Sequence, residues 1–133
     1  MIVVSEKIFY PAIFEPQDVG YSVYVPDLQG CVTQGDTLEE ALYMAGEAIG
    51  LMLEGVRTED IPQASAPQDI ALQGKQFVMV VPFDRLAYAK KYNTRSVKKT
   101  LSIPAWLNEL ALEKNINFSN VLQNALREKL QVS

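Results

Sequence analysis

The chain has no histidine and a single cysteine, Cys31, among its 133 residues. The first absence removes the commonest general base, the histidine relays of serine and cysteine nucleophiles, RNase-A-type chemistry and most zinc sites. The second rules out an internal disulfide framework. No cluster supplies four metal ligands, so neither a metal nor a cofactor is expected. No apolar run nears the roughly 20 residues that cross a bilayer, and Met1–Phe9 is too short and too charged for a secretory leader. The expectation is a cytoplasmic chain with no membrane role.

Basic residues are scarce over most of the sequence. Up to residue 84 only Lys7, Arg57 and Lys75 stand against thirteen acids, whereas residues 85–133 carry nine basic residues and three acids. The net charge of −4 conceals this division. It suggests two surfaces with different partners, the basic one suited to an anionic partner such as nucleic acid. At 48% hydrophobic and 21% charged the composition is globular, and the length allows one ordinary domain or two small ones.

Strand signals come first. Lys7–Phe14 is aromatic and β-branched, with Pro11 pointing to an edge strand or a bulge. Turn residues at 15–20 lead to a second strand, Tyr21–Val25, and a loop at 26–30 to a short third one, Cys31–Thr33, closed by Gly35. An antiparallel meander is the simple reading. Asp36 or Thr37 then caps a helix, with Glu39 or Glu40 completing a capping box. Leu38, Ala41, Leu42, Ala45, Ala48, Ile49, Met52 and Val56 form its apolar stripe, while Glu40, Glu47 and Glu54 fall on another face. Thr58–Gly74 is a connector. The apolar run Gln76–Val81 predicts a strand buried on both faces and ended by Pro82. Asp84–Tyr92 predicts a short helix with a basic end, and Asn93-Thr94 a hinge.

The last part reads strand, helix, helix. Ser96–Ile103 alternates, Pro104 starts a helix where its missing N–H is harmless, and Trp106, Leu107, Leu110 and Ala111 are expected to pack inward. Asn115 suits a left-handed cap, and Asn117 caps a second helix with Val121, Leu122, Ala125, Leu126 and Leu130 on its apolar side. A unit of fewer than about 40 residues without disulfide or metal needs oligomerisation to bury a core. Its lone strand has a ready partner in the same strand of a second chain.

Lys98–Ser102, Ile103-Pro104, a helix, Asn115-Ile116-Asn117-Phe118-Ser119 and a second helix together resemble the ribbon–helix–helix family of DNA-binding repressors. That resemblance implies a homodimer whose ribbon enters the major groove, with Lys98, Thr100 and Ser102 toward base edges. The free amides near Phe118 and Ser119, with the Ser119 hydroxyl, would hold a phosphate. Lys99 stands where that family prefers an apolar residue.

Tyr24-Val25-Pro26-Asp27-Leu28-Gln29-Gly30-Cys31-Val32-Thr33-Gln34-Gly35-Asp36-Thr37-Leu38-Glu39-Glu40-Ala41 resembles the signature of the HicB antitoxins, over roughly residues 8–82, with Gln29 in place of the usual proline. The resemblance implies an α+β chain. A truncated RNase-H-like sheet and helix would occupy residues 1–92, and a ribbon–helix–helix dimerisation and DNA-binding unit residues 93–133. It also implies an antitoxin that neutralises a HicA-type mRNA-cleaving toxin, a small basic ribonuclease, and binds operator DNA to repress its own operon. Glu40, Glu47 and Glu54, with Glu39 near them, are the residues expected to face that toxin. Dimer against tetramer stays open. A nuclease would need several carboxylates converging on paired cations, and only Asp18, Asp27 and Asp36 lie at strand or loop ends, so no enzyme is expected. The rival reading is a free-standing ribbon–helix–helix regulator whose N-terminal domain senses a ligand or a protein.

Overall fold

The structure is a computed structural model and describes residues 7–133. Strands β1 (Lys7–Pro16), β2 (Tyr21–Tyr24), β3 (Val32–Gly35) and β4 (Phe77–Asp84) form one antiparallel sheet in the order β3-β2-β1-β4. The expected meander is its first part. The third strand starts one residue later than the sequence suggested. Cys31 is drawn into the preceding turn, where its N–H donates to Leu28 O and its carbonyl accepts from Val25 N.

Two strand expectations need correction. Order places β1 inside the sheet, not at its edge. Yet β2 pairs it only from Ile13 to Pro16, so at Pro11 the sole strand neighbour is β4, through Val80. That local edge accommodates a residue without an N–H. Conversely, β4 is not buried on both faces but is an outer strand. Val81 and Phe83 are buried in the core while Val80 and Pro82 face outward and are exposed. Its apolar run reflects two apolar faces of which only one is covered. Pro82 does not end it, because an edge strand tolerates proline, and pairing continues to Lys7↔Asp84.

Helix α1 (Leu38–Leu53) crosses the inner face of the sheet. Thr37 Oγ1 accepts from Glu40 N at 3.0 Å, and the Glu40 carboxylate takes Asp36 N in return, so the start forms as the sequence indicates. Gly35 is needed at this junction: a Cβ there would fall 2.3 Å from Ala41 N. Ala41, Ala45, Ile49 and Leu53 pack on Tyr10, Ala12, Phe14, Val23, Val25 and Val81. The helix stops at Leu53, so Leu53 takes the buried place expected of Met52, and Val56 lies beyond the end.

The connector contains two single 3-10 turns, Thr58–Asp60 and Pro67–Asp69. Side chains tie it down. Ser65 donates to Asp27 through its N–H at 2.9 Å and its hydroxyl at 2.5 Å, and Tyr10 OH donates to Pro62 O. Asp27 therefore does structural work. Burial, reinforced by the Asp27 charge, raises the Tyr10 hydroxyl pKa above its ordinary value.

Helix α2 (Arg85–Tyr92) is capped by Asp84, which accepts from Ala87 N. Residues 93–104 then run with no helix or strand. The strand expected over Ser96–Ile103 has no hydrogen-bonding partner within one chain, so no ladder forms. Helices α3 (Ala105–Glu113) and α4 (Phe118–Leu130) follow. Pro104 is the N-cap of α3, one position before the place expected. Asn115 is left-handed, with φ 54°, and Asn117 accepts from Asn120 N, both as the sequence indicates. Trp106, expected inward, is 64% exposed in the single chain, and Leu107 and Leu110 are also exposed.

Candidate functional site: an acidic helix face and a basic arm

The stripe of α1 acids is not an uninterrupted solvent face, because α2 lies along it. Arg85 donates to Leu53 O, the last residue of α1, and to Val56 O just beyond it. One turn on, Tyr88 covers Gly50, where a Cβ would come within 2.2 Å of the tyrosine ring, so only glycine admits it. A further turn on, Lys91 Nζ pairs with Glu47 at 2.7 Å. Tyr43 OH and Tyr92 OH donate to the same carboxylate at 2.6 and 2.9 Å. The ammonium also lies 5.2 and 4.9 Å from the centroids of those two rings, a cation–π arrangement.

Lys91 and the two phenols hold the Glu47 carboxyl down to about 2, and the same contacts raise Lys91 above the ordinary lysine value. Glu47 is therefore engaged inside the molecule, with 21% of its side chain exposed. Glu39 and Glu54 are exposed and form no ion pair among the described residues. Glu40 is exposed as well, with one oxygen on Asp36 N. Three of the four acids lie on α1 and Glu54 caps its end, but they do not share one state.

Residues 93–104 form an arm with no helix or strand, and Lys98 and Thr100 from it line, with Ser119 of α4, one groove of about 650 Å³. Ser102 and Phe118 lie outside its lining. Asn117 satisfies the amide of Asn120, and the amides of Phe118 and Ser119 have no backbone or side-chain acceptor among the described residues. A large apolar surface stands open beside these polar groups. Val97, Leu101, Ile103, Trp106, Leu110 and Leu126 are each about half exposed or more.

A family model described as the HicB-like antitoxin of bacterial toxin-antitoxin systems matches residues 10–125. The chain belongs to that family. A chain of a toxin-antitoxin complex from Streptococcus pneumoniae has the same fold as this HicB-like antitoxin, with a TM-score of 0.58 at 28% identity over 93% of this chain and 99% of that one. The antitoxin HicB of Burkholderia pseudomallei shares the fold at a TM-score of 0.51 and 21% identity, over 93% and 97% of the two chains. An uncharacterized 14.9 kDa protein of Haemophilus phage HP1 is 38% identical over 54% of this chain and 57% of its own length. Antitoxin HicB 2 of Photorhabdus laumondii is 44% identical over 34% of this chain and 32% of its own.

The residues that sequence reasoning missed in the HicB-like chain are Tyr43, Lys91 and Tyr92. A weak signal was available: Tyr43 and Glu47 are four apart on α1, and Tyr88, Lys91 and Tyr92 share a face of α2. Nothing local says that the two faces meet.

Proposed function

We propose that this HicB-like antitoxin neutralises a HicA-type mRNA-cleaving ribonuclease through its N-terminal unit and represses its own operon through its C-terminal one. The four-stranded sheet with α1 across it is read as the truncated RNase-H-like unit, covering residues 1–92. Residues 93–133 are read as a ribbon–helix–helix unit. Two copies pair their arms into a ribbon; two such dimers on adjacent half-sites, or joined through their N-terminal units, would make a tetramer, and dimer against tetramer stays open. Both activities are cytoplasmic, in a bacterium. No helix among the described residues is long and apolar enough to cross a membrane.

The observation that carries this reading is the extent of the family match, residues 10–125, which takes in the sheet, α1, α2, the arm and most of α4. Physical chemistry agrees with it. The free acids of the first part, Glu39, Glu40 and Glu54 among them, suit a basic protein and would hasten its capture, whereas Glu47, paired with Lys91, does not take the role expected of it. The basic residues of the second part suit phosphate. Lys98 matches guanine O6 and N7, Thr100 and Ser102 carry hydroxyls for base edges, and the amides of Phe118 and Ser119 suit one backbone phosphate.

Co-expression tests the toxin half. The neighbouring reading frame, induced alone, is expected to arrest growth, and adding this chain to restore it. Arrest that persists with both proteins present at equal levels would refute the toxin-binding reading.

A further inference from the structure

Helix α1, helix α2 and strand β4 enclose a cleft of about 450 Å³ that the DNA reading does not use and the stripe of acids only borders. Its accessible surface is mainly apolar, Leu42 from α1 with Ala87 and the ring of Tyr88 from α2, and the buried Val81 and Phe83 of β4 lie beneath it. Ala87 lines it from α2 and is itself exposed, so the cleft is open to a partner. Two acids on its lining, Glu39 and Asp84, make no ion pair among the described residues. Asp84 spends one oxygen on the Ala87 amide and keeps the other. The same cleft already holds one ammonium, Lys91, between a carboxylate and two tyrosine rings. It therefore shows what it accommodates: a cation whose stem lies on apolar and aromatic surface.

We infer that this cleft receives an apolar segment of the toxin bearing a lysine or arginine, its apolar side chains on Leu42, Ala87 and the Tyr88 ring and its cation on Glu39 and Asp84. The inference rests on the toxin-binding reading and narrows it from a helix face to a cleft. Charge decides among occupants. Acids on the lining repel DNA, whereas a small basic ribonuclease must present cations on the surface that takes RNA, and an apolar floor rewards one flanked by apolar residues. Glu47 is not the docking acid, because Lys91 already neutralises it.

The test uses the full chain and, as probe, the purified product of the neighbouring reading frame in a variant that no longer arrests growth when induced alone. Ala87→Trp fills the cleft from an exposed helix position, and Glu39→Lys inverts one acid of its lining. Val32→Trp, exposed on β3 at the opposite edge of the sheet from the cleft, is the control. Titration calorimetry is expected to show at least a tenfold loss of affinity for Ala87→Trp. Glu39→Lys should lose at least fivefold with a shallower salt dependence, and Val32→Trp should match the wild type. Circular dichroism identifies a misfolded variant, and should Ala87→Trp fail to fold, Glu39→Lys decides alone. Wild-type affinity in both folded variants overturns the cleft and leaves the toxin reading standing. No binding by the wild type overturns both. A toxin-free particle whose mass falls on Ala87→Trp means that a second copy fills the cleft, which also overturns the proposal.

Discussion

Leu110 offers the sharpest test of arm pairing. It lies on α3 and is 50% exposed in the single chain, so half of its side chain is already covered by its own unit. Complete burial of a leucine is worth about 1.5–3 kcal/mol, so covering the remainder in a dimer contributes about 1 kcal/mol per protomer. A two-fold interface counts each residue twice, and Leu110→Ala therefore costs the dimer about 2 kcal/mol, roughly a 30-fold rise in its dissociation constant. Sedimentation equilibrium over a concentration series measures this, with circular dichroism confirming that helix content is kept. Leu51→Ala, a still more open leucine on α1, should leave the association unchanged. A monomeric wild-type chain at micromolar concentration, or a Leu110→Ala dimer within twofold of wild type, would refute the reasoning.

Further outcomes follow from the N-terminal unit. The folded carboxyl of Glu47 titrates near 2 against an ordinary 4.5, so its pairing stabilises fully above about pH 4.5 and is lost as pH falls toward 2. Hydrogen exchange of α2 should accelerate across that window, and Glu47→Gln should abolish the step; a step that survives the substitution contradicts the assignment. Gly50→Val forces the Tyr88 ring off α1 and should cost about 1–3 kcal/mol in urea unfolding, with little added by Tyr88→Ala in the same chain. Additive losses would show that the two residues do not meet. Tyr10→Phe deletes the hydroxyl that donates to Pro62 O and should cost about 1 kcal/mol by the same assay, while an unchanged midpoint would mean that the bond contributes nothing.

Features set by neighbours in sequence were the legible ones. Thr37 and Glu40 cap α1 within one turn, Asn115 turns left-handed where α3 must end, and Asn117 opens α4 through an amide three residues on. The meander was legible because Lys7–Phe14 is aromatic and β-branched, Tyr21–Val25 alternates, and turn residues separate the strands. What failed depended on distant partners. The run ending at Val81 is as apolar as a central strand, and only the sheet order shows that Val80 and Pro82 face outward. Periodicity placed Glu47 on an exposed face of α1. Lys91, which takes it, lies 44 residues away on another helix. Asp27 and Ser65 meet across 38 residues of chain, with no local pattern to announce it. The arm is a third case: Ser96–Ile103 has strand alternation but no strand beside it in one chain, and the proposed dimer would supply the partner.

The central claim is a division of labour, DNA at one end of the chain and toxin at the other. The variant Lys98→Ala with Thr100→Ala tests it in one calorimetric experiment, titrated first with a duplex of its own promoter and then with the inactivated toxin. The account predicts promoter affinity falling to the level of unrelated DNA while toxin affinity and dimer mass match the wild type. Promoter binding that persists at wild-type strength, or toxin binding lost along with it, would contradict the account.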